Sequence, residues 1–501
     1  MTQTVFAVNT WTVVAFVLYL VAMVAIGLLT TRFSSSGLAE FFLGGRQMKS
    51  FVVALAAVTS GRSAWLLIAV AGMAFTRGAS AIWTVVGYIL MELFLFLGPG
   101  KRLRRFTGQM DDLTIPDFLA SRMADKTHLI RVATVLPILI FMVSYVSAQF
   151  TAGAKTLAAS FGSSQTVGLL ITAGIVVFYT MMGGFLAICL TDVVQACLMI
   201  FALVILPIIA IIHLGGLTVL FRSLEALNPQ FIDPFALSVG TFISFLGIGF
   251  GSPGNPHILN KHMSIDDPEK LPRTGIIATC WNVIMAWGSV YIGLAGRVIF
   301  KDIKALPNQD PENIYPLLAS QHLHPFIYGL TIAAIFAAIM STADSQLLVA
   351  SSAIVRDLYQ KIFAIKKPLD QKKLVFWGRV ATFLLAIVAL IMGFMAKKLV
   401  FYLVLFAWGG LGAALGPSIL LSLYWPRLTK WGVISGIIVG TAVEIIWYSQ
   451  AQLKALVSEW VPATGLSLIT VIIVSLMTKP PEQAEALLKI MSEKTEISRN
   501  Q

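Results

Sequence analysis

Apolar runs of bilayer-crossing length recur from residue 11 to residue 477, with only short polar segments between them. A helix needs roughly 20 apolar residues to cross the hydrocarbon core. The runs at 11–31, 50–74, 79–98, 128–160, 166–184, 188–212, 236–256, 274–299, 325–358, 376–396, 399–423, 430–449 and 462–477 predict an all-α integral membrane protein. By that hydropathy criterion there are about 13 transmembrane helices. The runs at 128–160 and 325–358 exceed the bilayer thickness and must tilt, kink or project beyond it. Composition agrees, because only 12% of residues are charged and 57% are hydrophobic, against about a quarter charged in soluble domains. The opening "MTQTVFAVNT" has no basic region ahead of its apolar run, so 11–31 reads as a retained span and not a signal peptide.

The formal charge of +12 is spread through the short segments between runs. That distribution suits topology and anionic headgroups, not nucleic acid. Lys and Arg concentrate in the odd-numbered loops and the C-terminal tail, above all in "GKRLRR" (100–105) and "KKPLDQKK" (366–373). The expected orientation is N-terminus outside and C-terminus cytoplasmic. Residues 1–477 form one transmembrane domain, and 478–501 a polar cytoplasmic tail. Cys189, Cys197 and Cys280 all lie in apolar runs and make no disulfide framework, and the six histidines are dispersed. Nothing resembles a catalytic cluster or a metalloenzyme motif, so the chain is expected not to be an enzyme.

Two runs are interrupted. Span 2 carries "TSGRS" (59–63) at its centre, and span 7 carries "GIGFGSPGNP" (247–256). No continuous helix tolerates the second density of breakers. Irregular backbone at membrane depth survives only where protein buries it or it lines a cavity. Interruptions in corresponding spans point to an inverted-repeat transporter with its site between the broken helices. The expected repeats are approximately 50–212 and 236–423, with spans 1, 12 and 13 peripheral.

The stretches "FFLGGRQM" (41–48), "SAWLL" (63–67), "LTIPDF" (113–118), "MMGGFLAICLTDVVQACLMIFAL" (181–203), "GNPHIL" (254–259), "AAIMSTADSQLLVASSAIVRDLY" (337–359) and "FAWGGLGAALGPSIL" (406–420) run along the whole chain. In this order they make it resemble the sodium/solute symporter family, most closely its bacterial sodium/proline members. The resemblance implies a five-plus-five inverted-repeat (LeuT-type) core and sodium-coupled uptake of a small organic solute by alternating access. An amino acid such as proline leads the expectation for the solute.

"MSTADSQ" sets Ser341, Asp344 and Ser345 on one face of span 9, with Thr342 beside them. Hydroxyls, a carboxylate and freed carbonyls are hard donors for an alkali cation. An intramembrane carboxylate such as Asp344 is costly and marks function; hydroxyls alone can equally serve close helix packing. By resemblance, the sodium site takes the carbonyls of Thr59 and Arg62 together with Ala338, Ser341 and Thr342. A second ion site, present in some members, would use Asp192, Asp344 and Ser345.

The family's proline symporters hold an aspartate where this chain has Gly61 and an apolar residue where it has Arg62. A charge in the bilayer core should be paired, and Asp344 is the first expected partner of Arg62, Asp192 the second. Three roles stay open for the arginine: contact with a solute carboxylate, replacement of sodium, or a structural pair. Expected solute contacts are Arg62, Trp65, Tyr145, Gln149, Ile248 and Ser252. The last three depart from the proline pattern, with an aliphatic and a hydroxyl for two rings and an amide for a glycine. Sodium is the only metal expected and no cofactor is. The partners are solute, sodium and lipid, with no nucleic acid and no obligatory protein. A sodium-independent carrier or a transporter-like sensor remains the alternative.

Overall fold

The computed structural model describes residues 9–30, 37–363, 370–396 and 399–493. Part of the basic stretch 366–373 and the end of the tail lie outside them. The described residues are helical, with ten stretches long and apolar enough to cross a membrane. One of these, Ser50–Leu97, is a hairpin of two spans. It turns at Gly78 (φ 69), which brings Trp65 against Tyr88 with ring centroids 5.8 Å apart. Two shorter apolar helices, Gln165–Met181 and Val239–Gly254, complete the set.

The spans are Thr10–Thr30 (1), 50–77 (2), Trp83–Leu97 (3) and Leu129–Phe161 (4). Spans 5 and 6 run through Gln165–His213 and are separated by a non-helical Gly184 (φ 60). Span 7 occupies 239–264 and span 8 Leu271–Phe300. Spans 9 to 13 are 325–363, Gln371–Met395, Val400–Tyr424, Lys430–Ser449 and Trp460–Met477. Side-chain caps fix several starts: Ser164 accepts from Val167 N–H, and Thr429 from Gly432 N–H. The expected end of span 7 at residue 256 is corrected. The breakers interrupt the span, and helix resumes over Pro256–Ser264, which carries Lys261 to membrane depth.

The odd-numbered loops and the tail meet on one face. Lys101 and Arg105 both pair with Glu269, Lys430 reaches Asp125 at 2.8 Å, and Arg105 donates to the carbonyl of Ser492 in the tail helix Ala484–Ser492. "LTIPDF" opens the short helix Ile115–Arg122 on this face. Arg131 of span 4 bridges Asp117 and Asp357, Arg356 of span 9 also holds Asp117, and Thr114 donates to Asp357. That knot ties the spans 3–4 loop to spans 4 and 9.

Asp112 sits beside it, accepting from Ser121 Oγ at 2.7 Å. Burial pushes its carboxyl up to about 7, against the Ser121 hydrogen bond and with the Asp117 charge. The folded protein therefore holds this proton where the unfolded chain, titrating near the ordinary carboxylate value of about 4, has lost it. Stability from this group is complete below that value and falls as pH rises towards 7. Asp112→Asn should gain thermal stability relative to the parent as pH is raised from 5 to 8; a difference that does not vary with pH would contradict this.

On the opposite face, the segment between spans 8 and 9 is tied down by Glu312, which is 3% exposed. Its carboxylate accepts from Lys155 of span 4 at 2.6 Å and from the first amides of span 11, Val400 N at 3.0 Å and Phe401 N at 2.9 Å. Asp310 shares Lys155 at 2.8 Å.

Candidate ion and solute site

Span 2 breaks at Ser63 (φ 48, ψ −175) and re-forms as a π-helical turn, Trp65–Val70. The amides freed by the break find side chains. Ala64 N–H donates to Gln149 Oε1 at 3.2 Å, and Trp65 N–H to Ser63 Oγ at 3.1 Å. Tyr145 donates to the same Ser63 hydroxyl at 3.4 Å. Gln149 thus serves the break with its oxygen and leaves its Nε2 without a partner among the described residues.

Span 7 breaks over Gly247–Gly254 and is held by span 11. Trp408 donates to the carbonyl of Ile248 at 2.8 Å, and Asn255 Nδ2 donates back to the carbonyl of Trp408 at 3.2 Å. The backbones nearly touch here, since a Cβ on Gly412 would lie 2.5 Å from the Cα of Gly251. Asn255 and Pro256 shape this break, Pro256 as the first residue of the second half.

Span 9 lies against the first half of span 2. Ser341 Oγ donates to the carbonyls of Thr59 at 3.3 Å and Ala338 at 3.2 Å. Thr342 reaches the carbonyl of Ser60 at 2.9 Å, two residues before Arg62, whose carbonyl was expected in the ion site. The Arg62 carbonyl accepts the Trp65 amide across the break. Ser60 Oγ lies 3.1 Å from Ser345 Oγ and donates to Asp192 at 3.2 Å. Asp192 itself pairs with Lys261 Nζ at 2.9 Å, both fully buried. Asp344 is buried and forms no ion pair of its own among the described residues, with only the amide and hydroxyl of Ser345 and the charge of Lys261 acting to favour its ionised form.

The expected pairing of Arg62 with Asp344, or with Asp192, is corrected. The guanidinium pairs with Glu92 of span 3. Its Nε donates to Asn282 Oδ1 of span 8 at 2.8 Å, and Asn282 Nδ2 donates on to Glu92 at 2.8 Å, closing a triangle. Its Cζ lies 3.8 Å above the centre of the Tyr88 ring, a cation–π contact. The reason is the hairpin: residues 62 and 92 stand opposite one another across the turn at Gly78, while span 9 approaches the other side of span 2 through Thr59 and Ser60. The guanidinium accordingly points away from Ser341 and Thr342.

Gly61, Arg62, Trp65, Tyr88, Tyr145, Ile248, Val404, Leu405 and Trp408 line a small, partly open cavity between the two breaks, too tight as it stands for a drug-sized ligand. Trp65 Nε1 and Tyr88 Oη on its wall, and the Ser252 Oγ of the neighbouring break, are buried without hydrogen-bond partners among the described residues. Buried polar groups are ordinarily satisfied, so this ring of free donors and acceptors suits a small polar solute. Of the expected solute residues, Arg62, Trp65, Tyr145 and Ile248 line the cavity; Ser252 and Gln149 stand behind it.

Three side chains that the structure brings to these breaks escaped the sequence. Glu92 was signalled by a lone acid in "WTVVGYILMELFLFL", Tyr88 by its place one turn earlier, and Lys261 only by the basic residue just past a break.

The sodium:solute symporter family matches residues 41–440. The osmoregulated proline transporter OpuE of Bacillus subtilis is 38% identical over 480 residues, covering 95% of this chain and 97% of its own. The sodium/proline symporter of Escherichia coli is 36% identical over 486 residues, 95% of each chain. Among solved structures, a Na+-coupled sialic acid symporter in its substrate-bound outward-open state superposes with a TM-score of 0.80 at 19% identity, covering 95% of this chain and 99% of that one. Mhp1, a nucleobase-cation-symport-1 transporter, gives 0.56 at 14% identity over 91% and 99%. At those identities the likeness is one of fold: the LeuT type.

Proposed function

The chain belongs to the sodium:solute symporter family and is a multi-pass membrane transporter that couples solute uptake to sodium; we propose that its solute is a small amino acid such as proline. The observation that carries the proposal is the small cavity between the two broken spans, walled by Arg62 and by polar groups without partners. Relatives that carry proline share about a third of their residues with this chain over nearly its whole length.

We assign sodium to the carbonyls of Thr59, Arg62 and Ala338 with the hydroxyls of Ser341 and Thr342, where hard oxygens from spans 2 and 9 converge. Arg62 would offer its guanidinium to the solute carboxylate, the geometry a planar fork favours, and Trp65, Tyr145 and Ile248 would pack on the remainder. At Asp192, Asp344 and Ser345 an ammonium, that of Lys261, already faces the first carboxylate, so one sodium per cycle is the favoured reading. Sodium bridging spans 2 and 9 stabilises one side-open state, and rocking between repeats at 50–212 and 236–423 releases both cargoes. The lysine- and arginine-rich face, with the tail, would be cytoplasmic in a bacterial inner membrane.

The deciding experiment is uptake of labelled proline into vesicles bearing the purified protein, driven by an inward sodium or potassium gradient. Accumulation with sodium alone is expected; equal accumulation with potassium would remove sodium from the assignment. Ser341→Ala and Thr342→Ala should each raise the sodium concentration for half-maximal uptake about tenfold, with solute affinity at saturating sodium changed far less. The opposite ranking would place the ion elsewhere.

A further inference from the structure

Resting on the symport reading, we propose that Glu92 sets the solute class: by neutralising Arg62 inside the site, it makes the transporter select a zwitterion over an anion of the same shape. Glu92 is a positioning residue, acting on the solute through Arg62. It stands behind the cavity wall, 2% exposed, while the guanidinium it holds lies on that wall.

Gly61 makes this arrangement possible. A Cβ at residue 61 would lie 3.3 Å from Glu92 Oε1 and 3.2 Å from Ile258 Cδ1. The Glu92 carboxylate therefore fills the space that a side chain on residue 61 would take. Its Oε1 accepts nothing among the described residues, while Oε2 takes Asn282. Asn282 bonds both members of the pair, so the guanidinium is held over Tyr88 before any solute arrives.

The charges around the two breaks then balance in one way. Arg62, Glu92, Asp192, Lys261 and Asp344 are all buried there, with His257 taken as the neutral imidazole. Arg62 cancels Glu92 and Lys261 cancels Asp192. Asp344 forms no ion pair of its own among the described residues and feels the Lys261 ammonium only from beyond contact. With Asp344 ionised, one monovalent cation brings this core to neutrality. A zwitterion keeps it neutral, placing its carboxylate on Arg62 and carrying its own compensating ammonium. A monoanion leaves an uncompensated charge in a medium where such charges are expensive. With glutamine at 92 the core would carry one excess positive charge, and the anion would become the better match.

The test uses matched pairs of probes: L-proline against cyclopentanecarboxylate, and L-alanine against propionate, competing for sodium-driven uptake and for thermal stabilisation of the reconstituted protein. The parent should prefer each amino acid over its deaminated analogue by tenfold or more. Glu92→Gln should move that ratio towards the anion by about tenfold or more, whatever happens to the maximal rate. If Glu92→Gln shifts both affinities by one common factor, Glu92 is structural only and the proposal fails. Should Glu92→Gln not accumulate as folded protein, Gly61→Asp/Glu92→Ala decides. It returns a carboxylate to the same space from span 2, against a flexible isoleucine tip, and should restore zwitterion preference. A double variant that folds and transports without that preference overturns the proposal. A parent that prefers the anions overturns it while leaving symport standing. A parent that takes up none of the four with sodium would sink the functional reading itself.

Discussion

Replacing Glu92 with alanine should cost the folded protein about 3–5 kcal/mol, the usual penalty for breaking a buried ion pair by removing one partner. The penalty arises because Arg62, 1% exposed, keeps its charge and its burial while losing its counter-charge and Asn282 its acceptor. Arg62→Met/Glu92→Leu should recover most of that loss, since apolar residues of similar volume often replace a buried pair at little cost in stability. The same double variant should transport nothing, having no group for a solute carboxylate. Chemical denaturation of the three proteins in one detergent checks the first claim, and vesicle uptake the second. A double variant as unstable as Glu92→Ala would show that shape, not charge, governs this part of the core.

Asp344→Asn should act in the opposite direction on stability and still abolish sodium-driven uptake. This carboxyl forms no ion pair of its own among the described residues, so in sodium-free medium its ionised form is costly to bury. Its neutral isostere removes that cost, and the variant should melt no lower than the parent without sodium. The parent should gain from sodium by mass action, about 2.7 kcal/mol at a hundred times the dissociation constant, whereas the variant should gain little. Melting curves in sodium and potassium for both proteins give the answer. A variant that is destabilised in sodium-free buffer, or stabilised by sodium as strongly as the parent, would detach Asp344 from the ion.

These two acids show what the chain's letters disclose and what they conceal. The breaks at Ser63 and over Gly247–Gly254 were legible because glycine and proline have few conformational options, and a span without continuous helix must surround something. Asp344 stood out because a carboxylate in an apolar run has no cheap explanation. The partner of Arg62 was not legible by that logic, which weighs each residue alone. Pairing depends on hairpin register, and only the turn at Gly78 decides that residue 62 meets residue 92 and not span 9. Lys261 was hidden for a different reason: ten positions of breakers read as the end of a span, when the chain was re-forming a helix beyond them. Gln149 was expected to touch solute because it puts an amide where the proline symporters have a glycine, yet its oxygen is committed to the Ala64 amide. Backbone groups freed by a break compete with solute for the same side chains, and that competition is settled by geometry alone.

The buried Glu312 carboxylate holds three bodies together: span 4 through Lys155, the segment between spans 8 and 9, and the first turn of span 11. Span 11 also supplies Val404, Leu405 and Trp408 to the cavity, so the covering segment and the cavity wall share one rigid turn of helix. Uncovering that side cannot proceed by gradual breathing, because the helix amides and the ammonium would lose their acceptor in the same movement. Were this segment to move aside during transport, it would do so as a toggle, all three contacts made or all three lost.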